Sequence, residues 1–232
     1  MSSPGTTMPA VKLVILDLDG TLADSRADLT DSVNIVRARY GLGKMSPRRV
    51  ASAVGQGVTH LLTHTIPAAC RRAHPEFMKE FREVYWKRCT LKTRLYPGVV
   101  SGLRKLKGMR MAVVSNKPRR PTERILVKYG VRRLLSVVWG GDDLKRKKPE
   151  PWAFRVLMRR FRARPSETVV VGDSRFDMEA ARRAGTRVVA VTYGFGTRRE
   201  LARWKPDAII GRFSRLPGVI EAFNRKEPRR GR

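Results

Sequence analysis

Cysteine is scarce in this sequence, and long apolar runs are absent. The 232 residues include two cysteines, Cys70 and Cys89, which are too few for the disulfide framework of a small secreted domain. No apolar run approaches the ~18 residues that a membrane-spanning helix needs. The first ten residues lack the basic and apolar regions of a signal peptide. We therefore expect a protein of the reducing cytoplasm, with loose tails at residues 1–9 and 226–232.

Acidic residues are also scarce, because 20 Asp and Glu stand against 50 Lys and Arg, for a formal net charge of +30. The excess is spread along most of the chain, and only residues 225–232 form a short basic tail. A nucleic-acid-binding module more often concentrates its charge in a patch or a tail. Compositional bias on solvated faces therefore explains the charge best, and non-specific polyanion binding stays open as an alternative.

Beyond residue 95, short apolar segments typical of strands alternate with amphipathic segments typical of helices. This alternation predicts an α/β fold built on a parallel, doubly wound sheet with right-handed crossovers. Together with the opening apolar segment, the predicted strands lie at residues 11–16, 110–114, 136–139, 168–171, 187–191 and 208–210. Ligand sites in such folds lie beyond the carboxyl ends of the strands.

Roughly seventy residues separate the first predicted strand from the second, far more than a normal crossover connection. Their pattern indicates helices at residues 26–40, 47–54, 57–65 and 75–89, with Asp24 and Ser25 as N-cap residues of the first. We therefore predict two structural units. A sheet-containing core spans residues 10–25 and 95–225, and an inserted helical domain spans residues 26–94.

Acidic side chains follow two of the predicted strands. Asp17 and Asp19 come after the first strand and project to the same side if the chain is still extended there. Two acids so placed repel each other, and a divalent cation would offset that repulsion. Asp173 follows another apolar run and adds an oxygen ligand of the kind that Mg²⁺ prefers. The alternatives are a polar turn at Gly20 and, for Asp177, a simple stabilising charge at a helix N-terminus.

A hydroxyl and a lysine follow two other predicted strands. Ser115 and Asn116 could hold phosphate oxygens through the hydroxyl and free backbone N–H groups, although these residue types also form ordinary turns. Lys148 ends a run of four basic residues and precedes Pro149. Residues 145–147 are most simply a solvated surface, whereas Lys148 could offset the acids and hold a phosphate as a compact point charge.

Taken in this order, the four segments resemble the signature of the haloacid dehalogenase-like phosphohydrolases: D-x-D-G-T, then Ser or Thr, then Lys, then G-D-x-x-x-D. The resemblance covers about residues 11–211. It implies that Asp17 is the nucleophile that takes the phosphoryl group as an aspartyl-phosphate. It also implies that Asp19 is the general acid and base. An acid at that position fits phosphatases and phosphomutases rather than dehalogenases.

The same resemblance implies a Mg²⁺ site and a phosphate site. Mg²⁺ would be held by Asp17, Asp173 and the backbone carbonyl of Asp19, with Asp177 supporting these ligands through water or hydrogen bonds. The residues expected to hold the phosphoryl group share a position at strand ends; they are Ser115 and Lys148, helped by the backbone amides of Leu18, Asp19 and Asn116.

Further segments resemble the phosphoglycolate phosphatases of this family. They are residues 140–143, 148–151, 172–175 and 192–194, together with residues 54–58, which resemble a cap loop that faces the substrate through Gly55, Gln56 and Gly57. The resemblance thus implies a Mg²⁺-dependent phosphatase, monomeric or homodimeric, that hydrolyses a small phosphorylated metabolite such as 2-phosphoglycolate. A phosphomutase of the β-phosphoglucomutase type, a pyrophosphatase and a basic nucleic-acid-binding protein are the alternatives.

Two other residue types have simpler interpretations. His60 and His64 could share a helix face, but no Cys or acid pattern completes a zinc site around them. We interpret them as ordinary surface of the insert, or at most as a substrate contact. The four tryptophans are interpreted as packing residues rather than nucleobase platforms; they are Trp86, Trp139, Trp152 and Trp204.

Overall fold

A parallel sheet of six strands forms the centre of the molecule. The computed structural model describes residues 10–68, 70 and 74–225, so both predicted tails lie outside the described residues. The strands are β1 (Leu13–Leu16), β2 (Ala23–Asp24), β3 (Arg94–Leu95), β4 (Arg110–Val114), β5 (Val137–Trp139), β6 (Thr168–Gly172), β7 (Arg187–Val191) and β8 (Ala208–Ile210). The six-stranded sheet has the order β5-β4-β1-β6-β7-β8 with every pair parallel, while β2 and β3 form a separate antiparallel pair. The predicted fold class is confirmed.

The three central strands end at nearly the same level, which positions the polar residues that follow them. β1 and β6 are buried along their whole length, as expected for strands covered on both faces. Leu16 of β1 pairs with Val113 of β4 on one side and with Val171 of β6 on the other. Asp17, Ser115 and Asp173 therefore all emerge at one edge of the sheet.

Helices cover both faces of the sheet, and four more lie in the insert. They are α1 (Arg26–Arg39), α2 (Pro47–Ser52), α3 (Val58–Thr65), α4 (His74–Arg88), α5 (Val99–Lys105), α6 (Arg119–Lys128), α7 (Trp152–Arg160), α8 (Arg175–Ala184), α9 (Arg198–Ala202) and α10 (Leu216–Arg225). Apolar side chains of α5, α6 and α10 pack on one face of the sheet, and those of α7, α8 and α9 pack on the other. No helix in the described part of the chain is long and apolar enough to cross a membrane.

The helices α1 to α4 enclose an apolar cluster of their own. Leu29, Val50, Leu62 and Phe77, one from each helix, are buried in it. The chain enters and leaves this region side by side, since β2 and β3 pair with Ala23 opposite Leu95. Burial of these apolar side chains against one another thus stabilises helices that would be marginal in isolation.

Several local details differ from the sequence predictions. β2 was not predicted because two residues are too few for a strand periodicity, and α9 has only five residues around a Thr197–Glu200 capping box. Ser25 does stand at the N-cap of α1, but its hydroxyl makes no capping hydrogen bond. That hydroxyl instead donates to Oδ1 of Asp19 at 2.6 Å. Ser25 thus occupies the predicted N-cap position without accepting a capping hydrogen bond, and its hydroxyl is directed to the buried carboxylate of Asp19 instead.

Candidate active site

One small cavity lies where the sheet edge meets the insert. It encloses about 60 Å³, and its lining includes eight residues that the sequence had singled out: Asp17, Asp19, Gly55, Gly57, Ser115, Asn116, Lys148 and Asp173. Five of these residues were predicted to act as the nucleophile, the general acid, the phosphate-binding hydroxyl and lysine, and a metal ligand. They come from four segments that lie far apart in the sequence. The parallel sheet brings these segments together because each follows a strand that ends at the same edge.

Lys148 lies at the centre of the acidic side chains. Its ammonium donates to Asp17 Oδ1 at 2.7 Å, to Asp177 Oδ1 at 2.6 Å and to the carbonyl of Val114 at 2.9 Å, which uses all three donors. Burial alone would lower the pKa of Lys148, but the charges of Asp17 and Asp177 raise it above its ordinary value. The lysine is therefore charged and fixed in position.

Asp173 is held from two directions. Its Oδ1 accepts from the Thr21 hydroxyl at 3.2 Å, and its Oδ2 accepts from the backbone N–H of Phe195 at 2.6 Å. Gly20 has φ +87°, and a Cβ there would lie 2.0 Å from Asp173 Oδ2, so only glycine allows this close approach. Phe195 was not predicted from the sequence; its one signal is a position in the loop after β7, at the same sheet edge.

Three carboxylates form a group that could hold a divalent metal ion. Oxygen atoms of Asp17, Asp173 and Asp177 all lie within 4.8 Å of one another. Burial raises the pKa of Asp17 to about 7, and the charge of Asp177 adds to this effect against the opposing effect of Lys148. Burial also raises the pKa of Asp173 well above its usual range. One lysine leaves these acids with excess negative charge, and hard oxygen donors are what a divalent cation of the Mg²⁺ class requires.

Asp19 has a cationic partner that was not predicted from the sequence. The ammonium of Lys117 lies 3.0 Å from Oδ1 and 2.8 Å from Oδ2 of Asp19, and both side chains are buried. The same ammonium lies 4.6 Å from the ring centre of Tyr85, on α4 of the insert. Lys117 directly follows Ser115-Asn116, and that position was the only available signal. Asp19 is thus held between Ser25 and Lys117.

The remaining predicted phosphate-binding residues have defined surroundings. Ser115 is buried, lines the cavity, and accepts from the backbone N–H of Lys117 at 3.3 Å. Asn116 uses its side-chain amide to donate to the carbonyls of Gly55 at 2.7 Å and Lys148 at 2.9 Å. Leu18 places its side chain in the core, so a contact with phosphate through its backbone amide stays a prediction.

The predicted cap loop contacts the core directly. A Cβ at Gly55, where φ is +121°, would lie 2.8 Å from the ring of Phe176, so the loop approaches this ring as closely as a glycine can. Gly55 and Gly57 line the cavity, whereas Gln56 between them is half-buried and does not belong to the described cavity lining. The insert therefore covers the polar sheet edge with its glycine backbone and with apolar side chains.

The histidines and tryptophans lie apart from the acidic group. His60 and His64 each direct Nδ1 to a backbone carbonyl, at 3.0 and 2.9 Å, and neither belongs to the metal-capable group found in the described residues. Three tryptophans pack at the edge of the core, namely Trp139, Trp152 and Trp204. Trp86 instead packs between α4 and α6, where the guanidinium of Arg120 stacks 3.7 Å from its ring centre.

This arrangement of acids, lysine and hydroxyl at the end of a doubly wound sheet defines a hydrolase of the haloacid dehalogenase-like class. A family model described as haloacid dehalogenase-like hydrolase matches residues 14–191, which is most of the chain and contains every acid of the cavity. The chain belongs to this family, as the four motifs had predicted.

Relatives and a solved structure show which members of the family this chain resembles. The phosphoglycolate phosphatase of Photorhabdus laumondii is 33% identical over 219 residues, covering 92% of this chain and 94% of that protein. Phosphoglycolate phosphatase 1 of Pseudomonas aeruginosa is 35% identical over 209 residues, covering 86% of this chain and 76% of that protein. A crystal structure of a predicted phosphoglycolate phosphatase from Haemophilus somnus has a TM-score of 0.86 at 34% identity, covering 91% of this chain and 99% of that one. The similarity therefore extends over sheet and insert together.

Proposed function

We propose that this protein is a Mg²⁺-dependent phosphatase of small phosphate monoesters, with 2-phosphoglycolate as the best candidate substrate. The observation that carries this proposal is the meeting of Asp17, Asp19, Ser115, Lys148 and Asp173 at one cavity. The names of the relatives support the choice of substrate. The volume of about 60 Å³ supports it too, since it is small beside the roughly 300–1,000 Å³ of sites for drug-sized ligands.

The proposed reaction has two steps. A carboxylate oxygen of Asp17 attacks phosphorus, the P–O bond to the alcohol breaks, and an aspartyl-phosphate forms. Asp19 gives a proton to the departing oxygen, so that this oxygen leaves as a hydroxyl group rather than as an alkoxide. Water then attacks the phosphorus, Asp19 takes up one of its protons, and inorganic phosphate leaves Asp17 as a free carboxylate.

The other residues compensate charge and position the reacting groups during these steps. Lys148 and Ser115 hold oxygens of the transferring group, together with backbone amides of Leu18, Asp19 and Asn116. Mg²⁺ would be held by Asp17, Asp173 and the carbonyl of Asp19, and it would neutralise phosphate charge while Asp17 approaches. Asp177 supports the site by fixing Lys148, at 2.6 Å.

We also propose that residues 26–94 act as a cap domain over the core of residues 10–25 and 95–225. In this proposal the loop of residues 55–57 faces the substrate and the cap excludes water from the aspartyl-phosphate. The two cysteines and the absence of long apolar runs support a cytoplasmic location for this activity.

A phosphatase assay over small phosphorylated metabolites, with and without Mg²⁺, tests the proposal. We expect Mg²⁺-dependent release of phosphate from 2-phosphoglycolate and a loss of at least about 10³-fold in Asp17→Asn. Glu221→Gln, which neutralises an exposed carboxylate elsewhere, serves as the control and should retain full activity. Unchanged turnover in Asp17→Asn would reject the mechanism. Isomerised hexose phosphates or cleavage of inorganic pyrophosphate would instead favour a mutase or a pyrophosphatase.

A further inference from the structure

One lysine of the cavity has more N–H donors than it has hydrogen-bond acceptors in the described structure. Two ammonium groups line the cavity, those of Lys117 and Lys148. All three donors of Lys148 have acceptors. The described hydrogen-bond acceptors of Lys117 are the two oxygens of Asp19, and its other contact is the face of the Tyr85 ring, 4.6 Å from the ring centre. Lys117 is 7% exposed, so a further anion that reached it would be bound away from bulk water.

The ring that this lysine contacts belongs to a tyrosine, Tyr85, whose hydroxyl has no hydrogen-bond partner in the described structure. Tyr85 is 4% exposed and lines the same cavity, and its hydroxyl oxygen is buried without a hydrogen-bond partner in the described structure. Burial raises the pKa of Tyr85 well above its ordinary value, so the group is a protonated donor. A buried donor without an acceptor is costly, and its usual explanation is a ligand or water that satisfies it.

The rest of the insert's contribution to the cavity is apolar. Apart from the glycine backbone and Tyr85, its lining side chains are hydrocarbon: Leu29, Val54, Val58, Leu61 and Phe81. The leaving part of a substrate would therefore meet an apolar wall with one polar corner, formed by Lys117 and Tyr85.

We propose that Lys117 and Tyr85 form a receptor for a carboxylate on the leaving alcohol, and that this receptor selects 2-phosphoglycolate over phosphate esters of uncharged alcohols. The inference rests on the proposed phosphatase function. The carboxylate of 2-phosphoglycolate is one methylene group away from the ester oxygen. Lys117 in turn lies within 3.0 Å of Asp19, the residue proposed to protonate that oxygen. The short separation between Lys117 and Asp19 thus matches the short separation between the carboxylate and the ester oxygen of the substrate.

The experiment compares 2-phosphoglycolate with ethyl phosphate, in which a methyl group replaces the carboxylate. The kcat/KM of each substrate is measured with Mg²⁺ for the wild type, Lys117→Met and Tyr85→Phe. Hydrogen bonds to charged groups make us expect a drop of about 10- to 100-fold in the ratio of the two kcat/KM values for Lys117→Met. For Tyr85→Phe, which removes only the hydroxyl, we expect a drop of about tenfold in the same ratio. Lys145→Met, at an exposed lysine outside the cavity lining, should keep the wild-type ratio.

The outcomes separate this inference from the function on which it rests. A wild type that hydrolyses both substrates, with equal losses on both in the two variants, means that Lys117 only positions Asp19 and the receptor does not exist. A wild type that prefers ethyl phosphate also rejects the receptor while leaving the phosphatase function intact. A wild type without Mg²⁺-dependent turnover of either substrate rejects the proposed function itself. If Lys117→Met does not fold, the ratio in Tyr85→Phe decides alone.

Discussion

The ammonium of Lys148 lies 2.7 Å from Oδ1 of Asp17, although 131 positions separate the two residues in the chain. It also lies 2.6 Å from Oδ1 of Asp177. One buried cation therefore compensates two acids at the edge of the sheet, and Asp173 adds a third acid beside them. This balance makes the site dependent on Lys148 for stability as well as for phosphate binding.

Replacing Lys148 by Met should destabilise the fold in a pH-dependent way. Loss of one partner of a buried ion pair costs about 3–5 kcal/mol, and we expect the free energy of unfolding to fall by that amount at pH 8 without metal. The loss should shrink toward pH 5. The pKa of Asp17 is already raised to about 7 with the lysine present, and it rises further without it, so the carboxyl is neutral at pH 5. Denaturant unfolding at both pH values measures the difference.

The control for this experiment is Lys145→Met, on the same loop. Lys145 is exposed, and its replacement should leave the unfolding free energy unchanged at either pH. A loss in Lys148→Met that is equal at pH 5 and pH 8 would show that lost packing, rather than uncompensated acids, explains the effect.

Mg²⁺ should stabilise the protein, and Asp173 should be required for this. A ligand that binds only the folded state contributes about 2.7 kcal/mol at 100 times its dissociation constant, so the thermal midpoint should rise with MgCl₂. Asp173→Asn removes one anionic oxygen and should weaken Mg²⁺ binding at least about tenfold. Thermal unfolding across a MgCl₂ series measures both proteins. Glu221→Gln is the control, and an identical midpoint increase in Asp173→Asn would place the ion elsewhere.

The sequence was sufficient for the fold and for the residues at strand ends. Asp17, Ser115 and Asp173 each follow an apolar run, and parallel strands bring such positions to one edge whatever the side chains elsewhere do. Lys148 was harder, because it stands in a run of four basic residues. The signature spacing singled it out, and the structure buries it among the acids.

Contacts that depend on how the insert packs were not predictable from the sequence. Lys117 is one of 50 Lys and Arg residues, and its contact with Asp19 joins positions 98 residues apart. Tyr85 lines the cavity from α4, a helix that packs against α1 in the insert. The periodicity of a helix predicts its buried face but not which residues of the insert meet the sheet edge. Phe195 contributes its backbone N–H, and the residue type does not predict a contact made by the backbone.

The contact between the cap loop and the core should be sensitive to a single methyl group. Gly55→Ala places a Cβ 2.8 Å from the ring of Phe176 at a φ of +121°, which an L-residue rarely adopts. The loop must then move, and the hydrogen bond from Asn116 to the Gly55 carbonyl lengthens or breaks. We expect kcat/KM for the proposed phosphatase reaction to fall about tenfold, since the loop proposed to face the substrate would then position it less well.

Gly43→Ala provides the comparison for the cap loop. Gly43 also lies in the insert, but a Cβ there meets nothing within 4 Å and its φ is not positive. This variant should keep the wild-type kcat/KM. Wild-type kinetics in Gly55→Ala as well would mean that the close approach to Phe176 has no bearing on turnover.

Glu167 offers a test of stability that does not depend on the proposed activity. Its buried carboxylate, just before β6, accepts from the backbone N–H of Arg164 at 2.8 Å. It also pairs with Lys12 at 3.0 Å and with the Arg164 guanidinium at 3.1 Å. These contacts lower its pKa from 4.5 to about 2. A lowered pKa means that the folded state is favoured while the group is ionised, so the stabilisation is complete above pH 4.5 and disappears as the pH falls toward 2. Glu167→Gln should therefore lose about 1 kcal/mol at pH 7, because Lys12 and the Arg164 guanidinium are exposed. At pH 3, which is still above the folded-state pKa, the loss relative to wild type should be less than half of that. Denaturant unfolding at pH 7, 5 and 3 measures this convergence.

The exposed Glu221→Gln variant should follow the wild type throughout. A constant difference between Glu167→Gln and wild type across that range would mean that the carboxylate stabilises β6 through its shape and not through its charge.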